Sequence, residues 1–350
     1  MNQTDKKVLF SVRNIRKHYP VKKGFLRGKT ILKACDDLSL DIYEGETFGL
    51  VGESGSGKST LGRLMLRLIP PTSGQIVYYG NAVGDGRQKT EQGVDLTALS
   101  ERELRPYRKH MQIIFQDPYS SLNPRMTVEQ IIAEGLKAHA VYGNNSSACR
   151  QRVREIAAEC GLQPYALYRY PHQFSGGQRQ RVCIARALAL RPDFVVCDEC
   201  VSALDVSVQA QIINLLTRLK EKEKLTYLFI SHDLSVVRYL SDRIGVMYRG
   251  QLVEIAPAKA LFDCPRHPYT LTLLASAPVV GKRSGRYSGF ATDVPVGGVA
   301  HAGCKFHPRC FLAQEICRRQ SPELTDLGGG RCSSCHFAGE KELFEKFVER

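Results

Sequence analysis

The stretch that decides the fold is DIYEGETFGLVGESGSGKSTLGRLMLRLI, Asp41–Ile69. Its apolar run Glu46–Val51 reads as a buried strand, and Ser59–Ile69 places apolar residues on one face of a helix. Between them, Gly52–Ser59 fits G-x-x-x-x-G-K-[ST]. Glycines there let the backbone close around a triphosphate so that successive N–H groups face its oxygens. The N-terminus of the following helix adds its partial positive charge. The cradle predicted from this stretch is Gly52, Ser54, Gly55, Ser56, Gly57, Lys58, Ser59 and Thr60. Lys58 is expected at the β- and γ-phosphates, and the Ser59 hydroxyl on Mg²⁺.

Outward from this loop, FVVCDE (Phe194–Glu199) is an apolar strand that ends in two acids. Strands of such sheets deliver ligands at this end. Asp198 is expected to hold Mg²⁺ opposite Ser59, and Glu199 to orient and polarise an attacking water. Strands are predicted over Met111–Gln116, Phe194–Asp198, Thr226–Ser231 and Arg243–Tyr248, with a hairpin at Arg249–Gly250. Helical patterns fall near 127–138, 149–160, 177–190, 206–221 and 233–240. Alternating strands and helices define an α/β domain on a parallel sheet. From about residue 281 the chain turns Gly-rich and irregular, which reads as a linker or loop-dominated tail.

The 350 residues suffice for one sizeable core and a smaller appended domain. The opening MNQTDKK carries no apolar stretch, so no signal peptide is expected. No apolar run approaches the roughly 20 residues that cross a bilayer. The net charge of +14 is scattered over VKKGFLRGK, RPYRKH and RQRVR, without a dense block or an aromatic-interleaved platform. That distribution reads as a solvated basic surface and argues against a nucleic-acid partner. Twelve cysteines without an export signal are expected to stay reduced. Cys160, Cys183 and Cys197 read as small buried apolar residues. The five after residue 303 need another explanation.

FSGGQRQRVCIARAL (Phe174–Leu188) closely resembles the signature motif of ABC-type ATPases. The other motifs of that family are present in order over about residues 8–280. Tyr19 in IRKHYP stands where the family stacks an aromatic on adenine. Gln116 in QIIFQDP matches the Q-loop, a ligand of Mg²⁺ and part of the catalytic set. SALD (Ser202–Asp205) matches the D-loop, and His232 in FISHDLSVV the switch histidine. The resemblance implies a P-loop, RecA-like core with antiparallel β and helical subdomains. It implies a nucleotide-binding domain over 1–280, its helical subdomain at about 117–180, and a C-terminal extension over 281–350. It also implies head-to-tail dimers in which Ser175, Gly176, Gly177 and Gln178 contact the γ-phosphate on the other subunit, with Asp205 nearby. Glu199 is then the general base, and His232 holds the γ-phosphate and the water in line. Two positions depart from the family: Phe174 replaces the usual Leu, and Cys200 the usual Pro, which frees the backbone beside the base.

QDPYSSLNPRMTV and HPYTLTLLASAP (His267–Pro278) resemble the ATPases of oligopeptide/dipeptide importers. The resemblance implies an ATP-hydrolysing subunit at the cytoplasmic face of the inner membrane. Its implied partners are a second, related ATPase, two transmembrane permeases and, indirectly, a peptide-binding protein. Nickel and glutathione importers share much of this wording. A soluble ABC-type ATPase acting on nucleic acid is a further reading. The same family carries a C-terminal pattern matched here by Cys304, Cys310, Cys317 and Cys335, which can hold a [4Fe-4S] cluster. Zinc and unliganded thiols are the alternatives, and Cys332 is an extra thiol that could substitute as a ligand.

Overall fold

The computed structural model describes residues 6–23, 27–81, 93–276 and 303–345. The linker expected at 281–302 lies outside them. Two sheets organise the chain. The first is antiparallel, ordered β2-β1-β4-β5, from β1 (Val8–Lys23), β2 (Arg27–Tyr43), β4 (Ser73–Tyr78) and β5 (Val94–Asp95). The second has eight strands, β11-β12-β10-β9-β3-β8-β7-β6. Its centre is β3 (Thr47–Val51), β6 (Met111–Ile114), β7 (Phe194–Asp198), β8 (Thr226–Ile230) and β9 (Arg243–Tyr248). These five pair in parallel. Every residue of β3, β7 and β8 is buried, as a parallel sheet covered on both faces requires.

Helix α1 (Lys58–Met65) leaves the P-loop and lies on this sheet. Gly62 permits the close approach, since a Cβ there would sit 2.9 Å from Val196 Cγ1. The short α2 (Glu101–Leu104) leads towards β6. The helical subdomain packs α3 (Val128–Ala138), α4 (Ser146–Glu159) and α5 (Gly176–Leu188) together. Capping boxes at Thr127/Gln130 and Ser175/Gln178 begin α3 and α5. Then follow α6 (Val206–Glu223) and α7 (Leu234–Leu240), and β10 (Gln251–Pro257) forms the expected hairpin with β9.

Beyond β10 come α8 (Ala258–Asp263) and α9 (Pro268–Ala275), and then the C-terminal region. Its described part does not stand apart as a separate irregular domain. Strand β12 (Cys332–Ser333) pairs antiparallel with β10, and β11 (Thr325–Asp326) with β12, so the extension lengthens the main sheet. Phe306, 1% exposed, joins the same core as Tyr269 and Tyr248. Too few apolar residues recur in this segment to signal a strand, so its pairing was invisible to periodicity.

The two sheets meet through aromatic side chains. Phe10 of β1 lies 4.6 Å from Phe194 and 5.0 Å from Tyr78, ring centre to ring centre. All three are fully buried, and the Tyr78 hydroxyl donates to Asp193 Oδ2 at 2.6 Å. Removing Phe10 leaves a void between sheets that cannot both close around it. Phe10→Ala is expected to lower the unfolding free energy by about 3–5 kcal/mol, read as a reduced urea midpoint.

Candidate active site

The P-loop turns on glycines at positive φ: Gly52 at 148°, Gly55 at 76° and Gly57 at 106°. A Cβ on Gly57 would fall 2.2 Å from the Ala34 carbonyl oxygen, so the chain passes where only glycine fits. The loop closes on its own lysine. Lys58 is 4% exposed, and its Nζ donates to the carbonyls of Gly52 at 2.8 Å and Glu53 at 3.0 Å. Burial lowers its pKa, against the opposing pull of Glu199, Asp198 and Glu53. Ser56 Oγ is buried without a hydrogen-bond partner. A loop with an inward ammonium and an unpartnered hydroxyl fits an oxyanion ligand.

At the sheet's C-terminal edge Ser59 Oγ donates to Asp198 Oδ1 at 2.6 Å. Burial raises the Asp198 pKa, and the Ser59 hydrogen bond opposes the shift. A hydroxyl and a desolvated carboxylate held together in this way fit an oxygen-liganded Mg²⁺.

Glu199, beyond the strand end, has φ 49°. That left-handed conformation is held by its N–H on the Ile230 carbonyl (3.0 Å) and by Ser202 Oγ donating to its own carbonyl (2.9 Å). Its Oε2 accepts from Gln116 Nε2 at 2.8 Å and lies 3.6 Å from His232 Nδ1. Two other segments thus converge on this carboxylate. Gln116 sits on the base side of the site, beside Glu199. The Cys200 that replaces proline is 1% exposed. The Ser202 hydroxyl, on the Glu199 carbonyl, restrains the turn that proline would have stiffened.

Tyr19 is half-buried on β1, with Lys17 Nζ 5.0 Å from its ring centre. Ser175 caps α5 by accepting from Gln178 N, and Gln178 Oε1 accepts from Ser175 N at 3.1 Å. Ser175, Gly176 and Gln178 are exposed and Gly177 is half-buried. Among the described residues none of the four hydrogen-bonds to the P-loop. Asp205 is exposed ahead of α6, followed by Val206 at 84% exposure. Phe174 is buried in the core of the helical subdomain, as its leucine counterpart would be.

The four cysteines Cys304, Cys310, Cys317 and Cys335 line one small cavity of about 10 Å³, walled by His267, Pro268, Phe306, Leu312 and Phe337 among others. Cys304 N donates to the Cys317 carbonyl at 2.8 Å, tying two of them together. Burial pushes the Cys310 and Cys335 thiols up to about 12, with a smaller contribution from the other thiols of the set. Cys332 does not join them: it packs in the other core, beside β10. Among the described residues no group of three or more His, Cys, Asp or Glu is arranged to hold a metal ion.

Two residues that motif reading passed over touch the P-loop. Tyr269 and Arg309 both reach Glu53, the first variable position of the loop. The words HPYT and PRC were visible in the sequence, but nothing in their spacing says what they touch.

Comparison with known proteins agrees with this geometry. The profile of the ABC transporter family matches residues 35–202, and that of the oligopeptide/dipeptide transporter C-terminal region matches 253–317. The oligopeptide transport ATP-binding protein AppF of Bacillus subtilis is 45% identical over 96% of this chain and 99% of its own length. The probable peptide ABC transporter ATP-binding protein y4tS of Sinorhizobium fredii is 44% identical over 94% of this chain and 89% of its own. The dimeric, ADP- and phosphate-bound ATP-binding cassette MJ0796 superposes with a TM-score of 0.60 at 28% identity, covering 71% of this chain and 99% of that one. The chain belongs to the ABC transporter ATP-binding proteins, in the branch that carries the oligopeptide/dipeptide C-terminal region. It is an ATPase coupled to transport.

Among the described residues His232 pairs with the Glu199 carboxylate, so its loss should affect chemistry more than binding. His232→Ala is expected to lower kcat by about 100-fold or more, with nucleotide affinity within about threefold of the native value. Steady-state ATPase assays and fluorescent-nucleotide titration measure the two.

Proposed function

We propose that this ATPase energises the import of di- or oligopeptides across the cytoplasmic membrane. The observation that carries the reading is the near end-to-end match to a relative named for oligopeptide transport, including the C-terminal region. In this reading ATP lies with its adenine on Tyr19 and its phosphates in the cradle Gly52–Thr60. Ser59 and Asp198, with Gln116, would hold Mg²⁺, which would supply positive charge against the phosphates. Glu199 takes a proton from water, whose oxygen attacks the γ-phosphorus. The bond to the ADP oxygen breaks and ADP leaves with the electron pair, while the proton remains on Glu199. His232 and Gln116 hold the attacking water and the γ-phosphate in line. The exposed Ser175–Gln178 turn, at the start of a 13-residue helix, supplies N–H groups to the nucleotide of a second ATPase subunit. Asp205 and the exposed Val206 lie at the same seam.

The second ATPase is a related chain, and the pair docks on two permease subunits fed by a peptide-binding protein. Exposed Tyr119, Tyr165 and Tyr168 on the Q-loop and helical subdomain suit that docking, since aromatic residues are enriched at protein interfaces. Among the described residues no helix is long and apolar enough to cross a membrane. In this reading the chain attaches peripherally at the cytoplasmic face through its permease partners. Glu199→Gln is expected to reduce ATP hydrolysis by about 100-fold or more and to stop peptide uptake, while ATP binding persists. Uptake that continues at the native rate would overturn the transport assignment.

The C-terminal thiols hold a [4Fe-4S] cluster in this proposal. Support comes from four cysteines around one cavity and from the packing of the fifth cysteine elsewhere. Cys304, Cys310, Cys317 and Cys335 would supply its four thiolate ligands, and those bonds would order the extension. Anaerobically purified protein is expected to carry about four irons per chain. Cys310→Ala should lose most of them, and Cys332→Ala should keep them. Iron-free native protein, or equal loss in both variants, would contradict the assignment.

A further inference from the structure

The P-loop of this chain is gripped from outside by residues that have no part in the phosphate motifs. Glu53 follows Gly52, whose φ of 148° is open only to glycine. The Glu53 N–H donates to the Tyr269 hydroxyl at 2.9 Å. Its carboxylate takes both oxygens to Arg309 Nη1, at 3.0 and 3.1 Å. Its carbonyl accepts from Lys58 Nζ and from Ser56 N, at 3.0 and 3.1 Å. One residue therefore links the C-terminal region to the lysine that meets the phosphates.

Both gripping side chains are themselves fixed. Tyr269 is fully buried in the first turn of α9, where His267 Nδ1 accepts from its N–H at 3.0 Å. Its ring packs 4.6 Å from Tyr248 and 5.4 Å from Phe306. The Arg309 guanidinium lies 5.9 Å from the ring centres of the same Tyr248 and Phe306. Lys305, four residues earlier, bonds Asp36 at 2.9 Å and the Arg249 carbonyl at 3.0 Å. The next residue, Gly250, donates from its N–H to the Ser56 carbonyl of the P-loop at 2.9 Å. The loop is thus braced from two directions by one segment.

We propose that Tyr269 and Arg309 are positioning residues for nucleotide binding, acting through Glu53. Tyr269 fixes the Gly52–Glu53 peptide through its N–H, and the Gly52 carbonyl of that same peptide accepts from Lys58 Nζ at 2.8 Å. Arg309 neutralises a carboxylate that would otherwise stand beside an incoming triphosphate. Removing that cation exposes the nucleotide to one uncompensated negative charge. The penalty grows with the charge of the ligand and shrinks with added salt. The inference rests on the reading of Gly52–Thr60 as the phosphate cradle.

The test titrates the full-length purified protein with Mg²⁺ and fluorescent ATP or ADP, alongside thermal unfolding and iron content. Arg309→Gln is expected to weaken ATP by about fivefold at low salt, ADP less, with the difference reduced in high salt. Arg309→Lys should recover most of the affinity. The double variant Glu53→Gln/Arg309→Gln should also recover it, because the stranded charge is gone. Tyr269→Phe, which removes only the accepting hydroxyl, should weaken both nucleotides about equally. Arg309→Gln that lowers the unfolding midpoint yet binds ATP like the native protein would overturn the proposal. So would failure of Glu53→Gln to restore binding. Lys58→Ala separates the two layers. If it binds ATP normally, the cradle reading itself fails; if it abolishes binding while the Arg309 and Tyr269 variants bind normally, only the positioning role fails.

Discussion

A buried ammonium organises this molecule. Lys58 is taken out of water and held by two carbonyls of the loop that precedes it, with Asp198, Glu199 and Glu53 near enough to pull its pKa upward. A cation placed so costs desolvation, and the cost is tolerable only where oxygen ligands surround it. The glycines at 52, 55 and 57 allow the loop to supply those ligands, and α1 begins at the lysine itself. A polyphosphate offers better oxygens than the protein's own carbonyls, so the free loop is poised to exchange one set for the other.

The strand order explains why the remaining groups arrive at this point. In the parallel run β9-β3-β8-β7-β6, the chain leaves β3 into the P-loop, β7 into Asp198–Glu199 and β8 into His232. All these exits lie at one edge, as ligand-binding groups do in sheets of this kind. Gln116 leaves β6 at the same edge and closes on Glu199. The base is therefore oriented by neighbours from two other strands before any nucleotide binds. Such pre-orientation reduces the ordering still needed for chemistry.

Local signals made much of this legible. The apolar runs at Phe194–Asp198 and Arg243–Tyr248 became strands with those bounds, because burial on both faces leaves a continuous hydrophobic word. The P-loop could be read because its glycines serve backbone conformations that no other residue adopts. The antiparallel pairing of β1 with β2 and β4 was implied only by family resemblance, and the β4 partner lies some way along the chain from β1. The C-terminal region was harder still. Residues Cys332–Ser333 form a strand only because β10 presents an open edge to them. Cys332 and Cys335 look alike on paper, but strand geometry sends one into the main core and the other into the thiol cavity.

The account's central claim is that Lys58 and its loop receive the triphosphate. A crystal structure of the full-length protein with Mg²⁺ and a non-hydrolysable ATP analogue tests it most directly. The account predicts that Lys58 Nζ leaves the Gly52 and Glu53 carbonyls for phosphate oxygens, with the metal between Ser59 and Asp198. Phosphates bound elsewhere, with Lys58 still bonded to its own loop, would contradict it.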